Sequence, residues 1–138
     1  MRTTPDGCDI YALAQVEEVD RMKCPTLEFL KELKPVLFKH LLNNLNSTAQ
    51  GGPSHNETKF RFLKGGEFDG IFEFKAKAVG AGGARLFGFF DGENIIICTH
   101  GVEKANDLEM KQDYKKAVRI RDAYFENKKT KRSFPTFP

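Results

Sequence analysis

With 138 residues, 40% of them hydrophobic and 13 of them Phe, the chain has material for one core of ordinary size and no comfortable room for a second domain. Its formal net charge of +3 is uneven, because Lys128, Lys129, Lys131 and Arg132 put +4 into residues 127–138 and leave residues 1–126 at −1. No apolar run approaches the ~20 residues that span a bilayer, and the start MRTTPDGCDI lacks the charged-then-apolar pattern of a secretory signal, so a cytoplasmic protein with no membrane partner is expected.

Residues 1–9, with Pro5 and Gly7, read as a poorly ordered lead-in, and Ile10 to Glu18 as an opening strand. Thr26 can cap a helix that carries Leu27, Leu30 and Leu33 at helical spacing. Pro35 then closes that helix or opens a second one, from Val36 to Asn46 or slightly beyond. Leu37, Leu41 and Leu45 recur every four residues, the stripe of a helix laid on a sheet, with His40 beside it. Residues 47–59 are a polar connection rich in Gly, Pro and Asn, in which His55 is a loop residue.

Phe60 to Gly66 leads to a strand, Ile71 to Ala78, whose alternation puts Phe72, Phe74 and Ala76 on one face and Glu73, Lys75 and Lys77 on the other. A hairpin through Val79 to Gly83 that sets Ala78 against Ala84 would place Lys77 opposite Arg85, two cations with nothing to oppose them. Ala84 to His100 reads as two central strands about Asp91-Gly92. The continuous apolar runs Leu86 to Phe90 and Ile95 to Cys98 imply cover on both faces. A two-residue turn pairs Arg85 with Cys98 and a four-residue turn pairs it with His100; in either register Arg85 and His100 share a face.

After Gly101-Val102-Glu103-Lys104, Asn106 or Asp107 can cap a last helix from about Glu109 to Glu126, with Tyr114, Ala117, Val118, Arg121 and Phe125 on one stripe and Tyr124 near its end. A single domain over 1–126 and a basic, flexible tail over 127–138 result. Cys8, Cys24 and Cys98 are odd in number, widely spaced and without a CxxC. They imply reduced thiols rather than a disulfide framework or a zinc site, and no metal or other cofactor is expected.

Lys75, Lys77, Arg85, His100 and Lys104 would converge on one side of a small sheet. The chain has no paired carboxylates, P-loop or GxGxxG with which to do other chemistry. A basic site of this kind suits a phosphodiester: cations hold the phosphate and its developing charge, while an imidazole or a lysine trades protons with sugar hydroxyls. Only RNA supplies the internal 2′-hydroxyl nucleophile, which favours a ribonuclease; a passive RNA-binding or nucleotide-binding face accounts for the same residues.

The stretches PTLEFLKEL, FLKGGEFDGIFEFKAKA, ARLFGFFDGENIIICTHGVEK and KKAVRIRDAYFE occur in the order in which they occur in a known family. In them the chain resembles the phage-derived HigB-like branch of the RelE/ParE toxins of type II toxin-antitoxin systems. The resemblance implies an α+β RelE-like fold: a strand, a two-helix hairpin, a three-stranded antiparallel meander and a C-terminal helix. It implies ribosome-dependent, metal-independent cleavage of mRNA, with the ribosome, mRNA and a helix-turn-helix antitoxin as partners. By position it makes Arg85, Lys77 and His100 catalytic, and Lys75, Lys104, Arg121 and Tyr124 RNA-binding. The chain carries Glu103-Lys104-Ala105 where a pair of lysines commonly follows the last strand. A ParE-type inhibitor of DNA gyrase and a degenerate, non-catalytic RNA-binding protein are the alternatives.

Overall fold

The computed structural model describes residues 7–13, 15–18, 21–103, 110–129 and 136–137. In chain order these form β1 (Asp9–Leu13), β2 (Gln15–Glu18), β3 (Arg21–Lys23), α1 (Pro25–Glu32), α2 (Pro35–Gly51), β4 (Phe60–Phe62), a 3-10 turn (Gly66–Phe68), β5 (Ile71–Ala78), β6 (Gly82–Phe90), β7 (Ile95–Val102), α3 (Lys111–Lys129) and β8 (Thr136–Phe137). The main sheet runs in the order β4-β5-β6-β7-β1-β8, with β1 parallel to β7 and the other neighbours antiparallel; β2 and β3 form a separate ribbon. This is the expected α+β arrangement, compatible with a RelE-like fold.

Both faces of the sheet are covered, which is why β6 and β7 read as unbroken apolar runs. On one face Leu37, Leu41 and Leu45 of α2 pack with Phe72, Phe74, Leu86 and Ile96. On the other, Met110 and Ala117 pack with Ile71, Phe87, Phe89 and Ile97. The alternation of β5 is as its sequence implies, and each fully buried Leu or Phe contributes on the order of 1.5–3 kcal/mol through its removal from water.

Helix boundaries differ in detail from expectation. Cys24, not Thr26, stands at the N-cap of α1, and Pro25 occupies the first turn. Thr26 lies within the helix, buried, with no hydrogen-bond partner for its hydroxyl among the described residues. α2 continues to Gly51, where Gly52, at φ 85°, donates its N–H to the Thr48 carbonyl at 2.9 Å.

The hairpin registers differ too. Gly80 and Gly82 adopt φ 78° and 76°, conformations that cost a glycine little. They allow a turn over 79–81 that pairs Ala78 with Gly82 rather than Ala84. Arg85 therefore faces Lys75, and Lys77 faces Gly83. Arg85 pairs with Val102 on its other side, in neither of the two registers expected.

Candidate functional site

A β-bulge sets the site's geometry. Gly88 pairs with Cys98 and Leu86 with Gly101, so Phe87 alone on β6 opposes both Thr99 and His100 on β7. Without the extra residue, simple alternation would send His100 to the face of Ile96 and Cys98, against α1 and α2. The bulge instead turns it toward α3: its ring lies 5.0 Å from that of Phe87, which itself meets Tyr114 at 5.7 Å. Arg85, two residues before Phe87, shares that face.

Arg85 is 5% exposed and does not stand as an open cation. Its Nη1 donates to Oε1 of the fully buried Glu73 at 2.9 Å, and Arg61 Nε donates to Oε2 of the same carboxylate at 2.9 Å. Arg61 Nη2 reaches the Tyr114 hydroxyl at 3.5 Å, linking the pair to α3. Arg85, one of the two cations expected to be unopposed, thus has a counter-ion on the middle strand, Glu73, which it shares with Arg61 and not with Lys77. Two guanidinium groups sharing one carboxylate form a network in which each buried charge has a partner, the condition under which burial is tolerated.

His100 is 3% exposed, and its protonation follows from its neighbours. The Thr99 hydroxyl donates to the Phe87 carbonyl at 3.4 Å, which leaves its oxygen to accept from Nδ1 of His100 at 3.0 Å. In that tautomer the unprotonated nitrogen is Nε2, which is buried and without a hydrogen-bond partner among the described residues. Burial, reinforced by the charges of Lys116 and Arg119, pushes the imidazole down to about 4, although Asp113, 3.9 Å from Nε2, pulls the other way. His100 is neutral at pH 7.

A groove of about 760 Å³ opens beside it. Among the described residues, β1 pairs with β7 only as far as Ala12 and Cys98, so the edge of β7 from His100 to Glu103 has no strand beside it. Lys116 and Arg119 of α3 form one wall, and Glu28 and Glu32 of α1 line the other. Glu103, the departure from the family's paired lysines, has a local explanation: its Oε1 accepts the Lys34 N–H at 3.3 Å, at the N-cap of α2, where a carboxylate suits the helix dipole.

The remaining residues singled out from sequence lie elsewhere. Lys75, half-buried, and Lys77, exposed, line a second cleft of about 350 Å³ between the β4–β5 edge and α2. Arg121 and Tyr124 sit at the far end of the sheet, where they dock α3. Arg121 Nη1 donates to the Asp69 carbonyl at 2.6 Å, and the Tyr124 hydroxyl to Asp91 Oδ2 at 2.6 Å. Burial and the Asp91 carboxylate together push the Tyr124 phenol up to about 12. Lys104 lies outside the described residues.

Arg61, Glu73, Asp113, Lys116 and Arg119 did not emerge from the sequence. Arg61 had a signal, as the single polar residue between Phe60 and Phe62, and so did the three-residue spacing of Lys116 and Arg119 on one helix face. Cys98 is pushed up to about 12 by burial and stays a thiol. Among the described residues, no group of three or more His, Cys, Asp or Glu stands together as a metal site, and no helix is long and apolar enough to cross a membrane.

Residues 28–123 match a family model described as "Phage derived protein Gp49-like (DUF891)". A search of curated proteins finds no match.

Proposed function

The chain belongs to the phage-derived Gp49-like family, one of RelE/HigB-type toxins, and on that premise we propose that it cleaves mRNA in the translating ribosome. Toxins of this family are normally paired with an antitoxin. In our reading a cognate helix-turn-helix antitoxin keeps this one silent.

The observation that supports cleavage is the neutral His100, its Nε2 free to accept a proton beside a groove that carries Lys116 and Arg119. Those two cations seat the scissile phosphate and offset the charge that builds on it. The ribose 2′-oxygen attacks phosphorus, the bond to the 5′-oxygen breaks, and the products are a 2′,3′-cyclic phosphate and a 5′-hydroxyl. The 2′-hydroxyl proton reaches Nε2 through one water, because that nitrogen lies beneath the groove surface, and the departing 5′-oxygen takes its proton from solvent water in the groove. A phosphate held by Lys116 and Arg119 cancels the charges that help to depress His100, and so raises its basicity when substrate is bound. Arg85 serves from behind this surface, holding β5 and β6 in register through Glu73.

Single-turnover cleavage on programmed ribosomes tests the reading. Cyclic-phosphate ends from the parental protein, and a loss of at least a hundredfold in rate for His100→Gln with ribosome binding kept, are expected. A folded His100→Gln protein that cuts at the parental rate would remove His100 from the chemistry.

A further inference from the structure

We propose that Glu32 and Phe29 of α1 read a guanine base in the groove beside His100, with the phosphate 3′ to that base on Lys116 and Arg119. This rests on the nuclease reading above and names the nucleotide that its site selects.

The groove divides its charges by wall. Pro25, Glu28, Phe29 and Glu32 recur at three- and four-residue spacing along α1, so one stripe of that helix faces the groove, and Lys116, Arg119 and Ile120 do the same on α3. The orientation of each wall has its own support. A Cβ added to Gly101 of β7 would stand 2.3 to 2.6 Å from three carbons of the Phe29 ring, and Asp113, one turn before Lys116, lies 3.9 Å from His100 Nε2. Among the described residues Glu28, Glu32, Lys116 and Arg119 make no ion pair or side-chain hydrogen bond, so the walls carry opposite charges that do not meet. A ligand between them must offer acceptors to α3 and donors to α1. A nucleotide whose base edge bears donors has that division.

Glu32 is the acid that the fold does not account for. Glu28 lies in the first turn of α1, where the helix dipole favours an anion. Glu32 is the last residue of the helix, where the dipole disfavours one, and it stands a turn away from the like charge of Glu28. Glu103, a third carboxylate of the groove, already accepts the Lys34 N–H. Glu32 therefore weakens its own helix without a partner, a local conflict of the kind found at binding sites. It does not stand alone: His100, 3% exposed, brings a second unpartnered polar atom, Nε2, to the same groove.

A carboxylate only accepts hydrogen bonds, and this decides the base. Guanine presents N1–H and the N2 amino group side by side, and the pair meets both carboxylate oxygens as a fork. Adenine and cytosine set one donor beside a ring acceptor, and uracil flanks its N–H with two carbonyls, so each turns a lone pair toward the acid. Phe29 supplies the plane. Its half-buried ring has no aromatic neighbour among the described residues and rests on the Gly101 backbone, which lacks the Cβ that would push it away. Stacking there serves any base, and Glu32 chooses among them. Because Gly101 follows His100 directly, the ribose of the stacked base is the one whose 2′-hydroxyl His100 serves.

Titration of the 15N-labelled protein with the 3′-monophosphates of guanosine, inosine, adenosine, cytidine and uridine, followed at the Phe29 and Gly101 amides, reads millimolar affinities without ribosomes or cleavage. We expect guanosine monophosphate to bind about tenfold more tightly than the adenosine, cytidine and uridine compounds, with inosine, which lacks the N2 amino group, between them. Glu32 is exposed, so Glu32→Gln should fold as the parent does, checked by circular dichroism. It should erase the preference while binding adenosine monophosphate at least as well as the parent, because an anion has left the groove. Glu28→Gln should keep the preference, and Phe29→Leu should weaken all the nucleotides alike. Equal affinities in the parent, no shifts with any nucleotide, or a preference that survives Glu32→Gln or is lost in Glu28→Gln would overturn the proposal. A nuclease indifferent to sequence fails this test and passes the cleavage assay, whereas a protein that binds guanine but leaves mRNA whole does the reverse.

Discussion

Glu73 gives one carboxylate oxygen to Arg85, at 2.9 Å, and its other oxygen to Arg61, so a single fully buried anion ties β4, β5 and β6 together. Arg85→Ala removes one arm and leaves Glu73 in the core with Arg61 alone. A loss of about 3 kcal/mol in unfolding free energy is expected, the low end for breaking a buried pair. Glu73→Met combined with Arg61→Met and Arg85→Met should recover most of it, since an apolar trio leaves no charge without a partner. Urea denaturation measures both; a single-variant loss below about 0.5 kcal/mol would contradict the account.

What the sequence made legible here was parity, and what it hid was register. The alternation of Phe72, Phe74 and Ala76 with Glu73, Lys75 and Lys77 follows from the two-residue period of a strand and needs no tertiary knowledge. Pairing does need it. The Gly80 turn is tighter than the glycines alone imply, and the Thr99 bulge has no signature in ICTHGV, yet the two decide that Arg85 meets Lys75 and Val102. The common face of Arg85 and His100 was foreseen from a register that does not occur; the bulge restores it by another route. Glu73 passed as one charge in a row because its partners sit 12 residues away on either side, at Arg61 and Arg85.

The pH dependence of stability follows from His100. Its folded value, about 4, lies below the ordinary 6.5, so between these limits the unfolded chain binds the extra proton and stability falls as pH falls. The contribution is complete above about pH 6.5 and gone below about pH 4, and amounts at most to roughly 3 kcal/mol. Urea midpoints of parent and His100→Gln, compared between pH 4 and 7, isolate it: the difference should shift toward the variant as the pH drops. Parallel curves would mean that His100 is not held neutral.

The far end of α3 is a latch. Burial alone would raise the Asp91 carboxyl, but hydrogen bonds from Lys128 and Tyr124 outweigh it and hold the group below its usual value. Tyr124→Phe should cost about 1 kcal/mol by leaving a half-buried carboxylate short of a donor. Lys128→Ala should cost less than about 0.5 kcal/mol, because the lysine is largely solvated. Thermal melts of the two variants rank them, and the reverse order would contradict the assignment.

Ribosome-dependent cleavage of mRNA is the central claim, and primer extension on a translated message in cells that express the protein without an antitoxin tests it most directly. The account predicts new 5′ ends inside the reading frame. They should vanish when the start codon is removed, and vanish again in a folded variant that combines His100→Gln with Lys116→Gln and Arg119→Gln. Full-length messages in cells whose growth has stopped would contradict it, and a simultaneous block in DNA replication would point to gyrase instead.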